Sequence, residues 1–212
     1  MTMNKKQFFL NGISIFLGLI FFTAGMAKVY AGHKFPGLIG PVWLEDKLAE
    51  YGLALFARYI AYSQIIAGFI LLTLRYRTLG AIILVPMVLS ILLVTVSQNW
   101  VGTPYVVSGL LVLNLILLLA DAGKFLPLAG FPSTYLPAPQ TNPFKMLLIW
   151  LAGFGLVLVS IQLSFMQLML SYVICVSGLL IGLVPYFIQG RAGRSIKRVA
   201  AKLSGVDFIP AT

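Results

Sequence analysis

Six stretches of mainly apolar residues divide the chain, and the charged residues fall almost entirely between them or at their ends. Each stretch is long enough to cross about 30 Å of hydrocarbon as an α-helix, at about 1.5 Å per residue. The pattern therefore predicts an all-α fold, a polytopic membrane bundle with six transmembrane helices. The predicted spans cover residues 7–30, 51–74, 79–96, 105–122, 144–164 and 167–188.

The polar segments between the spans suggest how the chain is organised. Residues 1–125 hold four spans and form one predicted core, with residues 31–50 as its outer loop. Apolar residues recur at helical spacing from Leu44 into the second span, which predicts a short interfacial helix in this loop. Residues 126–143 contain five prolines and are interpreted as a stiff, extended linker. Beyond it we expect a transmembrane hairpin over 144–189 and a basic cytoplasmic tail over 190–212, which forms a helix on the anionic inner leaflet.

Basic residues alternate between the two ends of the predicted spans, and this alternation predicts topology. They are concentrated before the first span, between the second and third, between the fourth and fifth, and after the sixth. Lysine and arginine mark cytoplasmic loops in membrane proteins. We therefore predict a multi-pass protein of a bacterial-type cytoplasmic (inner) membrane with both termini in the cytoplasm.

Composition narrows the choice of partners and chemistry. The 212 residues are 60% hydrophobic and 9% charged, so lipid is the expected surroundings. The net charge of +10 is explained by membrane topology, and we expect no nucleic-acid partner. With Cys175 and His33 as single representatives of their types, the chain cannot form an internal disulfide, a multi-cysteine metal site or a bis-histidine haem site. The sequence also lacks a nucleotide-binding loop and a serine triad.

Small residues and one proline predict where helices pack. Gly18 and Gly25 lie two turns apart on one face of the first span, which allows close approach of another helix. Gly178 and Gly182 form a small-xxx-small pair on the sixth span, continued by Ser171 and Cys175, and Gly153, Ser160 and Ser164 form a similar stripe on the fifth. Pro86 is expected to kink the third span. Trp43, Tyr51 and Trp100 are expected in the outer aromatic belt.

Lys28 and Arg58 are the candidate functional charges. Lys28 ends the first span, so it is either an anchor that reaches the headgroups or a charge that faces the bundle interior and meets a ligand or counter-ion. Arg58 lies about two turns inside the second span, about 11 Å from Tyr51. It is expected either to pair with Glu45, Asp46 or Glu50, or to bind an anionic ligand.

The outer ends of the spans suggest a ligand pocket around these two charges. Lys28 and Arg58, with Tyr62, Gln64 and Trp100, are the predicted ligand-binding residues; His33, Tyr59, Gln98 and Asn99 fall at the same end. Such a pocket suits an anion or a lipophile with a polar head, such as a quinone. On the fourth span, Asn114 is expected to hold helices together, and Asp121 is expected to form a solvated pair with Lys124, with a proton relay as the weaker interpretation.

The residues of the first span also carry a family resemblance. Residues 16–28, FLGLIFFTAGMAK, resemble the first helix of DoxX-like membrane proteins, in which a glycine-rich run ends in a G-x-x-K pattern. The resemblance to this DoxX/DoxD/MauE-type four-helix core continues through residues 75–77 and 117–121, and covers about residues 8–125. It implies a four-helix core, and family members include a subunit of thiosulfate:quinone oxidoreductase. The family often has an acidic residue where this chain has Gln64, which weakens a proton-transfer role.

These observations lead to two functional hypotheses. The first is an integral membrane subunit of a quinone-linked or other membrane redox system, with Lys28 and Arg58 as anchors for a head group. The second is a non-catalytic accessory subunit that packs against a larger membrane protein complex. Transport of a small solute is a weaker third interpretation, because the chain has no convincing internal repeat. Membrane-protein partner subunits are expected under both of the first two hypotheses.

Overall fold

The computed structural model describes residues 5–132 and 142–203, and for residues 128–129 and 190–203 it describes the backbone only. Helices joined by loops and turns make up this part of the chain, which contains no strand. The α-helices are α1 (Lys5–Val29), α2 (Leu44–Ala49), α3 (Ala54–Leu72), α4 (Arg77–Ser97), α5 (Thr103–Ala120), α6 (Ala122–Phe125), α7 (Pro143–Leu163) and α8 (Leu168–Leu203). Two 3₁₀ turns cover Ala31–His33 and Leu126–Ala129.

Six of these helices are long and apolar enough to cross a membrane: α1, α3, α4, α5, α7 and the Leu168–Gln189 part of α8. Their bounds lie within three residues of the predicted spans. The prediction of an all-α, polytopic helical bundle is thereby confirmed. We call the end that holds residues 30–53, 98–102 and 164–167 the loop end, and the end that holds Lys5, residues 73–76 and 121–132 the terminal end.

Helices α1 and α3 form the centre of the bundle. In α1, 67% of the most apolar window is buried, and in α3 56%, against 22–33% in the other four spans. These two helices pack along each other, while α4 contacts α3 and α5, and α5 contacts α1. A Cβ atom added to Gly18 would lie 2.8 Å from the backbone N of Leu72, and one added to Gly25 would lie 2.6 Å from the backbone O of Ala61. The two glycines therefore permit the close α1–α3 contact.

Helices α7 and α8 form a hairpin that packs against the same two central helices. A Cβ atom on Gly153 would lie 2.7 Å from the backbone O of Gly178, so the two backbones nearly touch there. The backbone N of Gly182 would lie 2.6 Å from the same Cβ atom. The open side of Gly182 faces α3, and a Cβ atom on it would lie 2.6 Å from the Phe69 ring and 2.9 Å from Thr73. A second apolar core forms at this junction around Phe22, Phe69, Val157 and Cys175.

Hydrogen bonds also join the hairpin to the core at the loop end. The buried Tyr30 hydroxyl donates to Ser160 Oγ over 2.9 Å, and the Ala31 backbone N–H donates to Ser164 Oγ over 3.1 Å. The small polar residues of α7 thus bind the end of α1 as well as packing within the hairpin.

One expectation about irregular segments needs correction. Residues 126–129, at the start of the predicted linker, form a 3₁₀ turn directly after α6, because Pro127 occupies a first-turn position where its missing N–H costs no hydrogen bond. The predicted extended segment over 133–141 lies outside the described residues. The backbone of the tail continues α8 to Leu203 without a break, and residues 204–212 lie outside the described part. Pro86 lies within the continuous helix α4.

Candidate functional site

A cavity of about 300 Å³ lies at the loop end of the four-helix core. Its walls come from α1, α3, α4 and α5, and the outer loop with α2 lies over it. Most of the lining side chains are apolar, including Phe21, Ile60, Ile91 and Val107. The polar side chains of the lining are Lys28, Gln64, Thr95, Trp100 and Thr103. The cavity therefore offers an apolar chamber with a small number of polar groups, as small-molecule sites usually do.

Lys28 points back into the bundle rather than out toward the headgroup region. Its Nζ donates to the backbone O of Ala24 over 2.9 Å and to Gln64 Oε1 over 3.1 Å. Side chains on a helix tilt toward its N-terminus, and α1 ends at the loop end, so that tilt directs Lys28 inward. Gln64 lies about 15 Å along α3 from its first residue, at about 1.5 Å per residue. Of the two interpretations of Lys28, the interior orientation is the one found.

No carboxylate lies within ion-pair distance of Lys28 among the described residues. Among the residues that the structure describes, one backbone carbonyl and one amide oxygen hold its ammonium group. An ammonium has three N–H donors, so one donor is left after these two hydrogen bonds. A cation in a membrane-spanning segment that faces a cavity without a counter-ion is a typical mark of a ligand or ion site.

Two of the polar side chains around the cavity, Lys28 and Trp100, can only donate hydrogen bonds. Because Lys28 can only donate, the oxygen of the Gln64 amide must face it, and the Gln64 NH₂ group is then directed elsewhere. The Trp100 indole N–H has no acceptor in the part of the chain that the structure describes. Trp100 also contacts Trp43, with 5.5 Å between ring centroids. The arrangement suits a ligand head that carries hydrogen-bond acceptors.

The outer loop reaches the Lys28 ammonium at Gly40. This residue has φ of +103°, and a Cβ atom on it would lie 3.6 Å from Lys28 Nζ. The positive φ explains the glycine, because residues with a Cβ atom rarely adopt this conformation. The loop backbone thus closes over the charged end of the cavity.

Arg58 and Tyr62 do not line this cavity, which corrects the predicted grouping with Lys28. Arg58 pairs with Glu45 of α2, and its Nε donates to Glu45 Oε1 over 3.1 Å. The Arg58 side chain is 60% exposed, and Tyr62, one turn further along the same face, is 44% exposed. Since α3 begins at the loop end, the tilt toward its N-terminus carries Arg58 outward to the loop. The face of α3 that lines the cavity carries Ala57, Ile60 and Gln64 instead.

The other predicted candidates at the loop end lie outside the cavity as well. The His33 ring is hydrogen-bonded through Nδ1 to the backbone O of Ala27 over 3.0 Å. Tyr59 is 66% exposed, and Gln98 and Asn99 form the turn between α4 and α5. Across the described ranges 5–132 and 142–203, the histidine, cysteine and acidic side chains form no group of three that could hold a metal ion. Of the predicted ligand-binding residues, the structure brings together Lys28, Gln64 and Trp100.

A buried polar network at the terminal end was missed by the sequence analysis. Asp121 accepts hydrogen bonds from Arg77 over 2.8–3.1 Å and from Thr78 over 2.9 Å, and it forms an ion pair with Lys124 over 2.7 Å. Only 5% of the Asp121 side chain is exposed, so the expected solvated pair with Lys124 is wrong about its surroundings. Asp121 could have been singled out in the sequence, because it is an acidic residue at an end of the bundle where basic residues predominate.

Arg77 extends this network across the bundle. Its Nη1 donates to Asn11 Oδ1 over 2.9 Å, and the Asn11 amide donates to the Tyr186 hydroxyl over 2.8 Å. Helices α1, α4 and α8 are thereby linked to the end of α5. Burial alone would raise the pKa of the Asp121 carboxyl, but the hydrogen bonds and charges of Arg77 and Lys124 together lower it below its ordinary value. The network therefore holds Asp121 as a charged carboxylate that joins the helices at the terminal end.

Asn114 has the predicted role in helix contact. Its Nδ2 donates to the backbone O of Ala81 over 2.9 Å, which joins α5 to α4 within the bundle. Such interhelical amide contacts stabilise packing in lipid.

Comparison with known proteins gives one informative similarity. The chain is 30% identical over 123 residues to a Bacillus subtilis (strain 168) protein described as "Uncharacterized protein YwoB", and the match covers 53% of this chain and 76% of that protein. No family model matches the chain, and no solved structure matches it. The resemblance to DoxX-like proteins is not tested by these comparisons and stays a prediction.

Proposed function

The chain belongs to the family of the Bacillus protein YwoB, and from the loop-end cavity we propose that it is a membrane subunit that binds a quinone-like lipophile in a membrane redox system. The observation that carries this proposal is the Lys28 ammonium, which faces an apolar cavity and has no carboxylate partner among the described residues. We propose that the head group of the ligand supplies the acceptor that the chain does not.

The donor set supports a head group with carbonyl oxygens. Lys28, the Gln64 amide and the Trp100 indole offer N–H donors, and a quinone ring carries acceptors at both ends. A hydrogen bond from a charged donor contributes about 1.5–3 kcal/mol, which is enough to select such a head over a plain hydrocarbon. The apolar walls formed by α1, α3, α4 and α5 suit the ring and the start of an isoprenoid tail.

A positioned cation also suits the redox chemistry of such a ligand. Lys28 would stabilise negative charge on a head-group oxygen, and the surrounding apolar walls strengthen that interaction by excluding water. The resemblance of residues 8–125 to DoxX-like proteins, one of which is a subunit of thiosulfate:quinone oxidoreductase, points to the same class of ligand. The partner subunits that would exchange electrons with it remain a prediction of the sequence.

Binding of decylubiquinone to the purified protein in detergent tests this proposal. Quenching of tryptophan fluorescence reports binding, because Trp100 lines the cavity. We expect saturable quenching, and Lys28→Gln is expected to weaken the affinity about tenfold or more, since a charged hydrogen bond is lost. Ala57→Leu is expected to weaken binding without a change of charge, because Ala57 is 1% exposed and lines the cavity.

Arg58→Gln is the matched control for Lys28→Gln. It removes one positive charge at the same end of the bundle, but Arg58 pairs with Glu45 and does not line the cavity. Its affinity for decylubiquinone is expected to equal that of the wild type, and thermal unfolding checks that each variant is folded. Absence of saturable quenching in the wild type, or equal affinity in the wild type, Lys28→Gln and Ala57→Leu, would overturn the proposal.

A further inference from the structure

A second cavity, of about 350 Å³, lies at the terminal end of the bundle. At about 30 Å³ per water molecule, this is room for roughly twelve waters, or for a group of the size of a phosphate. The cavity lies where the α3–α4 turn meets the start of α1 and the end of α8. Its basic side chains are Arg75, Arg77 and Lys124, and its lining includes no carboxylate.

Arg75 is the basic residue of this cavity whose hydrogen bonds are not satisfied by the protein. Its Nε and Nη1 are buried and have no hydrogen-bond partner in the part of the chain that the structure describes. Its Nη2 donates only to the backbone O of Pro143, over a long 3.5 Å. The guanidinium lies 4.9 Å from the centroid of the Tyr76 ring, which fixes its plane. Buried donors without acceptors are destabilising, so this arrangement points to an acceptor from outside the chain.

Among the described residues, no carboxylate is left to pair with Arg75 at this end. It contains five acidic residues in all, and Glu45, Asp46 and Glu50 lie at the loop end. Asp207 falls outside the described residues. Asp121 is buried and already held by Arg77, Thr78 and Lys124. Asp121 is thus paired with both Arg77 and Lys124, and no carboxylate among the described residues is paired with Arg75.

We propose that the terminal-end cavity binds a phosphate group through Arg75. The planar guanidinium presents Nε and Nη donors in a fork that matches two phosphate oxygens, whereas a single point charge would not. A basic pocket between transmembrane helices at the basic end of a bundle suits the head group of an anionic phospholipid. A free phosphate ion carries the same chemistry, and the two sources are separated by the experiment below.

The test measures thermal unfolding of the full-length protein after delipidation in detergent. One arm adds phosphatidylglycerol in mixed micelles, with phosphatidylcholine as the lipid control, and the other arm adds sodium phosphate, with sodium chloride at equal ionic strength as the control. A ligand that binds only the folded state raises the unfolding temperature. We expect a rise of several degrees with phosphatidylglycerol, phosphate or both, and none with the two controls.

Three variants assign the effect to Arg75. Arg75→Gln is expected to need at least about ten times more ligand than the wild type for half of the maximal rise. Arg75→Lys, which keeps the charge but lacks the fork, is expected to be intermediate. Lys145→Gln removes an exposed charge at the same end that does not line the cavity, and it is expected to behave as the wild type.

Failure of this proposal is distinguishable from failure of the proposed quinone site, because neither Arg75 nor Lys145 lines the loop-end cavity. A rise with phosphatidylglycerol alone identifies the lipid as the source, and an equal rise with phosphate identifies the free ion, and both support the phosphate site. The proposal is overturned if neither ligand raises the unfolding temperature of the wild type. It is also overturned if Arg75→Gln shows the same rise as the wild type, or if Lys145→Gln loses it to the same extent as Arg75→Gln.

Discussion

The direction of a helix decides what its terminal charges contact. Lys28 and Arg58 both lie near the loop end, and the sequence alone grouped them in one site. Helix α1 ends there and α3 begins there, so the common tilt of side chains toward the N-terminus carries Lys28 inward and Arg58 outward. The result is that Lys28 contacts Gln64, while Arg58 contacts Glu45.

The other parts of the candidate site could be predicted from the sequence to different degrees. Gln64 was predictable, because a polar side chain in the middle of a span needs a partner in lipid. The position of Trp100 over the cavity depends on the fold of the α4–α5 turn, which short-range patterns do not specify. The pairing of Arg77 with Asp121 joins residues 44 positions apart, so it depends on how α4 and α5 pack. Such a contact cannot be obtained from spacing along one helix.

At the residue scale, we predict that Asp121→Asn destabilises the protein by about 3–5 kcal/mol, because it leaves the charge of Arg77 buried without its partner. Chemical unfolding in detergent measures this loss. Glu45→Gln is the comparison, since it removes an ion pair that is largely exposed and is expected to have a much smaller effect. Equal effects of the two substitutions would contradict the structural role given to Asp121.

The same carboxylate predicts a dependence on pH. Its pKa in the folded protein lies below the ordinary value of 3.8, so the unfolded state binds the proton more readily. The stabilisation is therefore complete above that ordinary value and is lost as the pH falls through the folded-state pKa. Unfolding temperatures between about pH 5 and about pH 3 are expected to fall more steeply for the wild type than for Asp121→Asn. Parallel curves for the two proteins would contradict this assignment.

At the scale of the helices, the periodicity and length of the apolar stretches were sufficient to predict all six spans. Long apolar runs must satisfy their backbone hydrogen bonds internally in lipid, and this leaves the α-helix as the solution. Small-residue pairs also predicted the close contacts at Gly18, Gly25 and Gly178. Residues 126–143 were interpreted as extended because of their five prolines, whereas Pro127 stands at a position that a helical turn tolerates.

We predict that Gly182→Leu destabilises the bundle by about 1–3 kcal/mol, because the new side chain would overlap Phe69 and Thr73 of α3. Thermal unfolding in detergent measures the change. Gly155→Leu is the matched control on the partner helix of the hairpin, since a Cβ atom there meets nothing within 4 Å. If both variants unfold at the temperature of the wild type, the α3–α8 contact does not contribute to stability.

At the scale of the whole molecule, α1 and α3 contribute side chains to both apolar cores of the protein. One apolar core lies between them and α4 and α5, and a second lies between them and the α7–α8 hairpin. The sequence predicted a four-helix core and a separate hairpin, but it contained no sign of which core helices the hairpin would cover. That choice depends on shape, chiefly on the contact of Gly182 with Phe69 and on the hydrogen bonds of Tyr30.

The distribution of basic residues predicts that the terminal end lies in the cytoplasm and the loop end outside. Single cysteines at Val101, which is 98% exposed, and at Lys145 test this in a Cys175→Ala background. An impermeant maleimide is expected to label Val101→Cys on intact cells, and Lys145→Cys only after the membrane is opened. The reverse pattern would show that the orientation is inverted.

The central claim is that Lys28 holds the head group of a lipophile inside the bundle. The most direct measurement is the amount of quinone that co-purifies with the protein in mild detergent, quantified by mass spectrometry per mole of protein. We predict retained quinone in the wild type and in Arg58→Gln, and its loss from folded Lys28→Gln. Equal retention in Lys28→Gln and the wild type, or equal loss from Arg58→Gln and Lys28→Gln, would contradict the claim.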